Sequence, residues 1–176
     1  ILFDGLEYPF GFHHHVRSIM ATSHSKDLGL AGERIGFIAV CPDYDSWEEV
    51  VDGLTFCNRT LGFVNAPALM QHIVGRLQSV TVDAGHYQAQ RDLLYAGLRD
   101  IGYSVVRPQG AFYMFPRAPT EDDVAFVDAL RERRVLVVPG RGFGTPGHFR
   151  IAYCVEDATL TGALEGFRAA FEQFAA

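Results

Sequence analysis

The stretch Ser23-His24-Ser25-Lys26, with Arg34 eight residues after the lysine, decides how the fold and chemistry of this 176-residue chain are interpreted. Lys26 is the only lysine of the sequence. A lysine amine whose pKa is lowered by a neighbouring cation or by desolvation is a nucleophile at neutral pH and forms a Schiff base with an aldehyde. Hydroxyl groups and a guanidinium bind phosphate oxygens. The stretch therefore predicts a pocket for pyridoxal phosphate at Lys26, with hydroxyls and Arg34 near the phosphate.

Predicted strands and helices surround this lysine. Residues 18–22 and 34–40 are short apolar segments that predict two strands, and the second is apolar enough to be a central, covered strand. Lys26 then lies where a strand passes into a loop, and the ligands of open α/β sheets gather at such strand ends. Two helices are predicted next, over residues 46–56 and over residues 65–79, where a proline occupies the first turn.

A longer helical pattern separates this part of the sequence from the C-terminal part. Residues 83–101 have helical periodicity and are followed by Gly102, which favours a helix end. We expect this helix to bridge two domains, the first spanning residues 1–84 and the second residues 85–176. Strands and helices alternate in the second domain. Strands are predicted at 103–107, 111–115, 135–138 and 149–153, and helices at 121–133, with Thr120 as the N-cap, and at 157–174.

Three ordered motifs resemble those of the aspartate aminotransferase family, the pyridoxal phosphate enzymes of fold type I, classes I and II. The first is the lysine motif, Ser23 to Phe37. The second, PQGAFYMFP at 108–116, resembles the small-domain signature, and the third, VLVVPGRGFGTPGHFRIA at 135–152, resembles the segment with the substrate-binding arginine. The resemblance implies an α/β fold. Residues 1–84 would be part of the large cofactor-binding domain, a mostly parallel sheet with helices, and residues 85–176 the α/β small domain.

The resemblance also implies roles for individual residues. Lys26 would hold pyridoxal 5′-phosphate and move a proton during the reaction, while Ser23, Ser25 and Arg34 would bind the cofactor. Arg150 would bind the substrate α-carboxylate through a two-pronged pair of hydrogen bonds. Its place in an apolar strand agrees with this role, because an unpaired cation there would be costly. From the residues alone, an arginine in a structural ion pair is the alternative.

The sequence defines the substrate less well. The resemblance implies transfer of an amino group between an L-amino acid and a 2-oxo acid, with aspartate or a similar amino acid as the leading expectation. A dicarboxylic substrate needs a second cation, and Arg59 is a candidate by its spacing from Lys26, although Thr60 aligns with that position equally well. A lyase, decarboxylase or racemase of the same fold shares all of these motifs. A non-catalytic ligand-sensing module of a transcription regulator is a second alternative, although the presence of Lys26, Arg34 and Arg150 together favours an enzyme.

The resemblance extends over nearly the whole chain but corresponds only to the C-terminal part of a typical family member. The aspartate that pairs with the pyridinium nitrogen and the tyrosine that bonds the ring oxygen would both precede Ile1. We therefore expect a fragment of a longer enzyme that forms a homodimer when intact. The fragment alone is expected to have little or no activity and to expose apolar surface.

Composition excludes several other classes of protein. A net charge of −6 and a pI near 5.6 argue against a nucleic-acid partner. No apolar run reaches the length of about 18 residues needed for a membrane span, and an odd number of widely spaced cysteines favours the reducing cytoplasm. The run His13-His14-His15 is expected in a solvated loop, without a metal. Residues 142–147 match G-x-G-x-x-G, but a strand rather than a helix is predicted to follow, which argues against a dinucleotide site.

Overall fold

The computed structural model of the chain describes residues 1–175. Short strands and helices alternate along it, which confirms the mixed α/β character expected from the sequence. The strands are β1 Ile19–Ser23, β2 Gly36–Val40, β3 Tyr113–Met114, β4 Val138–Pro139 and β5 Phe149–Ala152. The helices are α1 His24–Asp27, α2 Trp47–Thr60, α3 Ala68–Arg76, α4 Ala84–Ile101, α5 Asp123–Glu132 and α6 Asp157–Ala175.

Backbone contacts divide the chain into two compact units. The first unit comprises Ile1 and residues 6–82, and the second comprises residues 2–5 together with the chain from Asp83 onward. The domain boundary expected after residue 84 stays a prediction.

Strands β1 and β2 form an antiparallel pair in the first unit, with Ile19 opposite Val40 and Ser23 opposite Gly36. They are joined by the single turn of α1 and a 3-10 turn at Ala31–Glu33, whereas parallel strands need a crossover connection, usually a full helix. Every strand pair within residues 1–175 is antiparallel. The described residues therefore contribute no parallel pairing of the kind expected in the large domain.

Strand β2 is less covered than its apolar sequence predicts. Phe37 and Ile38 are 44% and 43% exposed, and successive side chains of a strand point to opposite faces of the sheet. Both faces of β2 are thus partly open in the described chain, so the prediction of a covered central strand is wrong for these residues alone. Helices α2 and α3 also carry strongly exposed apolar side chains, among them Phe56 and Leu69.

Helices α2 and α3 lie close to their predicted positions. Helix α2 extends four residues beyond the predicted end at residue 56, to Thr60, and α3 begins directly after Pro67. The buried side chains of α3, Met70 and Val74, pack with Ile35 in a small apolar cluster. Ile35 directly follows Arg34 in the sequence, so this cluster anchors the segment that carries the arginine.

Helix α4 opens the second unit and has the local signals that the sequence predicts. The Asp83 carboxylate accepts hydrogen bonds from the backbone N–H groups of Gly85 and His86, and Gly102 ends the helix at φ 118°. Such a left-handed conformation favours glycine.

The N-cap residue of α5 differs from the predicted one. Asp122, rather than Thr120, accepts the capping hydrogen bond, from the backbone N–H of Ala125. The Thr120 hydroxyl instead accepts from the N–H of Asp122. The prediction of Thr120 as N-cap is therefore wrong, because the helix begins two residues later than expected and a nearer carboxylate takes the role.

The sheet of the second unit has the strand order β3-β5-β4. Residues 103–107, predicted as a strand, form no regular element. Tyr103 instead enters the core, where its ring contacts those of Phe126, Phe149 and Phe167 edge to face. Its hydroxyl donates to the Phe167 carbonyl at 2.9 Å, and burial raises the pKa of Tyr103. This aromatic core packs α4, α5 and α6 around the sheet.

A buried arginine fixes residues 2–5 to the second unit. The Arg91 side chain is fully buried and donates to the Asp4 carboxylate at 2.8 and 3.0 Å. It also donates to Asp92 at 2.9 Å and to the Pro108 carbonyl at 2.8 Å, and it lies over the Phe3 ring. The charge of Arg91 is thus compensated by two carboxylates of the unit, and most of its N–H donors are hydrogen-bonded there.

Candidate functional site

Lys26 lies in α1, a single helical turn that follows β1 directly. Ser23 caps this turn, because its hydroxyl oxygen accepts a hydrogen bond from the backbone N–H of Ser25 at 3.1 Å. The strand-to-loop edge expected for Lys26 is therefore a strand-to-helix edge. The serine that was expected to bind a cofactor also sets the local conformation of the lysine.

The residues around Lys26 are closed into a compact loop by His24. Its backbone N–H donates to the Ile35 carbonyl at 3.0 Å, and its own carbonyl accepts from the N–H of Leu30 at 3.1 Å. The buried imidazole Nδ1 lies 3.0 Å from an Asp27 carboxylate oxygen. His24 thus ties α1 to the start of β2. This histidine could not be predicted from the sequence, because its place between two serines gives no signal of burial.

Two hydroxyls, an amine and a guanidinium are carried by this hairpin. The hydroxyl oxygens of Ser23 and Ser25 lie 2.6 Å apart. Arg34 ends the 3-10 turn with φ 52°, and its Nη1 donates to the Ala31 carbonyl at 3.0 Å. A guanidinium has five N–H donors, so one bond to a carbonyl leaves donors for an anion. This donor set, together with the amine of Lys26, fits a phosphorylated aldehyde.

Close backbone packing holds the two strands of the hairpin in register beside these groups. Gly36 lies opposite Ser23, and a Cβ atom at Gly36 would collide with the backbone oxygen of Thr22. Only glycine allows this approach without a shift of the backbone. The glycine two residues after Arg34 is therefore required by the pairing that keeps Ser23 near the arginine segment.

A cleft of about 1000 Å³ opens on the first unit. Arg34 lines it, together with His24, Asn58 of α2 and Gln71 of α3. Ser23, Ser25 and Lys26 are not among its lining residues. The cleft therefore includes only the guanidinium side of the predicted cofactor site.

Arg150 lies in β5 of the second unit, opposite Val138 of β4. Its half-buried guanidinium lies over two aromatic rings, 4.8 Å from the Tyr113 centroid and 4.4 Å from the Phe143 centroid. Among the hydrogen bonds and ion pairs of residues 1–175, none involves this guanidinium. The structural ion pair, which was the alternative for Arg150, is absent from the described chain. The guanidinium contacts the faces of two aromatic rings instead.

The glycine-rich segment before Arg150 is a tightly folded turn. The N–H of Gly140 donates to the His148 carbonyl at 2.7 Å, and the Gly140 carbonyl accepts from the N–H of Thr145 at 3.1 Å. A Cβ atom at Gly140 would collide with the backbone oxygens of both partners. The strand β5 follows the turn. The helix that a dinucleotide site would need does not follow.

A buried carboxylate holds this turn from the side. Asp123, at the start of α5, is fully buried and accepts two hydrogen bonds from Arg141, one from the backbone N–H and one from Nε, both at 2.8 Å. Hydrogen bonds from the Arg141 side chain lower the pKa of the Asp123 carboxyl, against the opposing effect of desolvation. This pair could not be predicted from the sequence, because nothing in Asp122-Asp123 distinguishes the buried residue from the helix cap.

We predict that this pair makes the stability of the second unit sensitive to acid. Because the pKa of Asp123 is lower in the folded chain than the ordinary value of 3.8, its contribution is complete above that value and is lost as the pH falls through the folded pKa. Urea unfolding at about pH 7 and about pH 3 measures this loss. Asp123→Asn should be less stable than wild type at neutral pH and should lose less stability on acidification. An equal loss in both proteins would contradict the assignment.

Arg59 lies in the last turn of α2 and is exposed. The neighbouring Thr60 hydroxyl donates to the Phe56 carbonyl within the same helix at 2.9 Å. Thr60 thus already uses its donor, whereas the Arg59 side chain has no hydrogen bond within residues 1–175. The choice between the two positions stays a prediction.

Other features of the described residues add no further site. No group of three histidine, cysteine or carboxylate side chains in residues 1–175 could hold a metal ion. Within the same residues, no helix has the length and apolar character that a membrane crossing requires. The cysteines Cys41, Cys57 and Cys154 are all free thiols.

Comparison with known proteins identifies the family. The model of the aminotransferase class I and II family matches residues 4–167. A probable aspartate aminotransferase of Methanocaldococcus jannaschii is 30% identical over 166 residues, which cover 89% of this chain and 43% of the relative. An alanine aminotransferase of Mycobacterium tuberculosis is 30% identical over 155 residues, which cover 80% of this chain and 36% of the relative.

Solved structures agree with this family. An amino transferase from Eubacterium rectale superimposes with a TM-score of 0.93 and 37% identity, over 100% of this chain and 44% of its own. An aspartate aminotransferase variant from Thermus thermophilus gives a TM-score of 0.75 with 26% identity, over 96% of this chain and 47% of its own.

The fold and the lysine motif thus define a protein of the aspartate aminotransferase fold. The chain belongs to the aminotransferase class I and II family, whose cofactor is pyridoxal 5′-phosphate. The expectation drawn from the three motifs is confirmed. The chain spans less than half the length of these relatives.

Proposed function

We propose that the protein to which these residues belong is a pyridoxal phosphate-dependent aminotransferase, which moves an amino group between an L-amino acid and a 2-oxo acid. The observation that supports this most strongly is the amine of Lys26 on the same short hairpin as two adjacent hydroxyls and Arg34. Relatives described as aspartate and alanine aminotransferases agree with it.

In this proposal Lys26 is the catalytic base and acid. When bound, pyridoxal phosphate supplies an aldehyde for amines and a ring that takes up electrons from the substrate Cα. The Lys26 amine removes the proton from the Cα atom of the amino acid. The Ser23 cap and the His24 contacts hold the turn that carries this amine, so the amine starts from a defined backbone position.

Ser23, Ser25 and Arg34 bind the cofactor phosphate in the same proposal. Their hydroxyls and guanidinium donate hydrogen bonds to an anion, and bonds to a charged partner are stronger than those between neutral groups.

Replacement of Arg34 by alanine tests this assignment. We expect Arg34→Ala to weaken the affinity for pyridoxal phosphate by about ten-fold or more, because a hydrogen-bonded charge pair is lost. Arg76→Ala is the matched control, since Arg76 is also an exposed arginine of the first unit, at the end of α3. Spectrophotometric titration with the cofactor measures both variants. Equal affinities in the two variants would remove Arg34 from the phosphate site.

For the substrate, we propose that Arg150 binds the α-carboxylate and that the amino acid is aspartate or a similar one. Arg150 supports this as a half-buried cation without a carboxylate partner in the described chain. Arg59 is proposed for the distal carboxylate of a dicarboxylic substrate, because it is an exposed cation.

The reaction type is tested by product analysis with the complete protein. Incubation with aspartate and 2-oxoglutarate should produce a 2-oxo acid and a new amino acid in equal amounts. Release of an amine or of an inverted amino acid would instead identify a decarboxylase or a racemase.

We further propose that the complete protein acts as a homodimer in the cytoplasm. The three free thiols fit a reducing compartment. Exposed apolar side chains such as Phe56 and Leu69 fit surfaces that are covered in a larger assembly. Analytical ultracentrifugation of the complete protein tests the dimer.

A further inference from the structure

The guanidinium of Arg150 is held by aromatic rings and not by an acid. Its central carbon lies 4.8 Å from the Tyr113 ring centroid and 4.4 Å from that of Phe143. A ring face attracts a cation through its quadrupole but leaves the charge in place. A carboxylate partner would neutralise that charge and take up the N–H donors. The two rings can therefore fix an arginine and leave its charge and its N–H donors available to an anionic ligand.

The two rings come from different elements, and each element is fixed independently. Tyr113 belongs to β3 and lies opposite Ala152 in the ladder with β5. The register of that ladder therefore sets its position next to Arg150.

Phe143 belongs to the turn at 140–143, and its position depends on the contacts of that turn. The backbone of the turn is closed by the bonds between Gly140 and His148, and Asp123 holds it through Arg141. The Phe143 ring also meets Phe115 edge to face at 6.1 Å, and Phe115 stacks on His148 at 5.5 Å. A 46% exposed aromatic side chain is thus fixed from two sides.

We propose that Tyr113 and Phe143 form an aromatic cradle, the pair of rings around Arg150, and that they are positioning residues for its carboxylate-binding guanidinium. This inference rests on the proposed role of Arg150 and adds the residues that orient it. The cost of ordering a long arginine side chain is met before the ligand arrives, so the ordered guanidinium binds a carboxylate more tightly than a mobile one.

The cradle can be tested by nuclear magnetic resonance on the ¹⁵N-labelled 176-residue chain. The Nε–Hε signal of Arg150 is assigned by its absence in Arg150→Gln. Acetate is the probe, because it carries a carboxylate and no other polar group, and sodium chloride keeps the ionic strength constant. Aromatic rings shield protons above their faces, so the signal should lie upfield of the other arginines in wild type.

We expect Phe143→Leu and Tyr113→Leu each to weaken acetate binding by about three-fold and to reduce the upfield shift of the Arg150 signal. Phe143→Tyr and Tyr113→Phe keep a ring and should retain both properties. Leucine variants with wild-type shift and affinity would overturn the proposal. The same holds if Phe143→Tyr behaves like Phe143→Leu, since that would indicate a packing effect.

A further variant separates this proposal from the proposed role of Arg150. If the backbone amide signals of Phe149 and Ile151 respond to acetate equally in wild type and in Arg150→Gln, Arg150 does not bind the carboxylate and the proposed function loses that contact. If Arg150→Gln loses the response while the leucine variants retain it, only the cradle is wrong.

Discussion

Replacement of Arg91 by methionine is expected to lower the free energy of unfolding of the second unit by about 2 kcal/mol or more, because its hydrogen bonds to two partly exposed carboxylates and to a carbonyl are lost. The Arg91 side chain is fully buried and binds both Asp4 and Asp92. Methionine approximates its aliphatic stem, so the effect comes mainly from the guanidinium. Its loss leaves Arg107 as the remaining cation beside Asp4 and Asp92 in this network.

We expect this loss of stability because the Arg91 side chain contacts four other residues. Arg91 donates to two carboxylates and to the Pro108 carbonyl, and it covers the Phe3 ring. Arg107 also contacts Asp4 and Asp92 but is 45% exposed and cannot replace the buried donors. Residues 2–5 should therefore detach from the unit in the variant.

Urea unfolding followed by circular dichroism measures the change in free energy, and hydrogen exchange of Phe3 and Asp4 measures the detachment. The backbone N–H groups of both residues are bonded in wild type, Phe3 to the Gln109 carbonyl and Asp4 to the Gln88 side chain. Arg99→Met is the control, because Arg99 is an exposed arginine of the same helix. Equal effects of the two substitutions would show that the buried network adds nothing to stability.

Replacement of Lys26 by arginine is expected to abolish amino transfer by the complete protein. Arginine keeps the positive charge, but its guanidinium stays protonated at every pH of interest and can neither attack an aldehyde nor remove a proton. The substitution therefore separates charge from nucleophilicity. Because Lys26 is the only lysine in these residues, no neighbouring lysine here can take its place.

Formation of the 2-oxo acid from aspartate, followed over time, measures this effect. Ser25→Ala is the comparison, since it removes one hydroxyl of the proposed phosphate site and keeps the amine. It should weaken cofactor binding while leaving transfer measurable at saturating cofactor. Transfer by Lys26→Arg at a rate near that of wild type would remove Lys26 from its proposed catalytic role.

Local signals account for the parts of the fold that the sequence predicts well. Asp83 and Gly102 limit α4 through a cap and a left-handed terminus, and both depend only on residues within a few positions. The family motifs likewise are continuous segments. The one-turn helix at Lys26 escaped prediction although Ser23 is a good N-cap, because four residues are too few for a periodic pattern.

Contacts between distant residues account for what the sequence does not predict. Arg91 and Asp4 are 87 positions apart, and Asp123 and Arg141 are 18 apart. No local pattern marks such residues as buried, since charged side chains are usually exposed. The open faces of β2 have a different cause. An apolar strand predicts that both of its faces are covered, but it does not indicate which residues cover them. The cradle around Arg150 likewise joins three segments that meet only in the fold.

The most direct test of the central claim, that residues 23–34 form a cofactor site around Lys26, is to find which amine pyridoxal phosphate modifies. The 176-residue chain is incubated with the cofactor, reduced with borohydride and mapped by peptide mass spectrometry. Its amines are Lys26 and the α-amine of Ile1. We expect modification to be concentrated at Lys26 in the native chain and to be lower at Lys26 in Arg34→Ala. In the denatured chain, Lys26 should no longer be modified in preference to the α-amine of Ile1. Labelling of Lys26 that is equal in native chain, denatured chain and Arg34→Ala would contradict it.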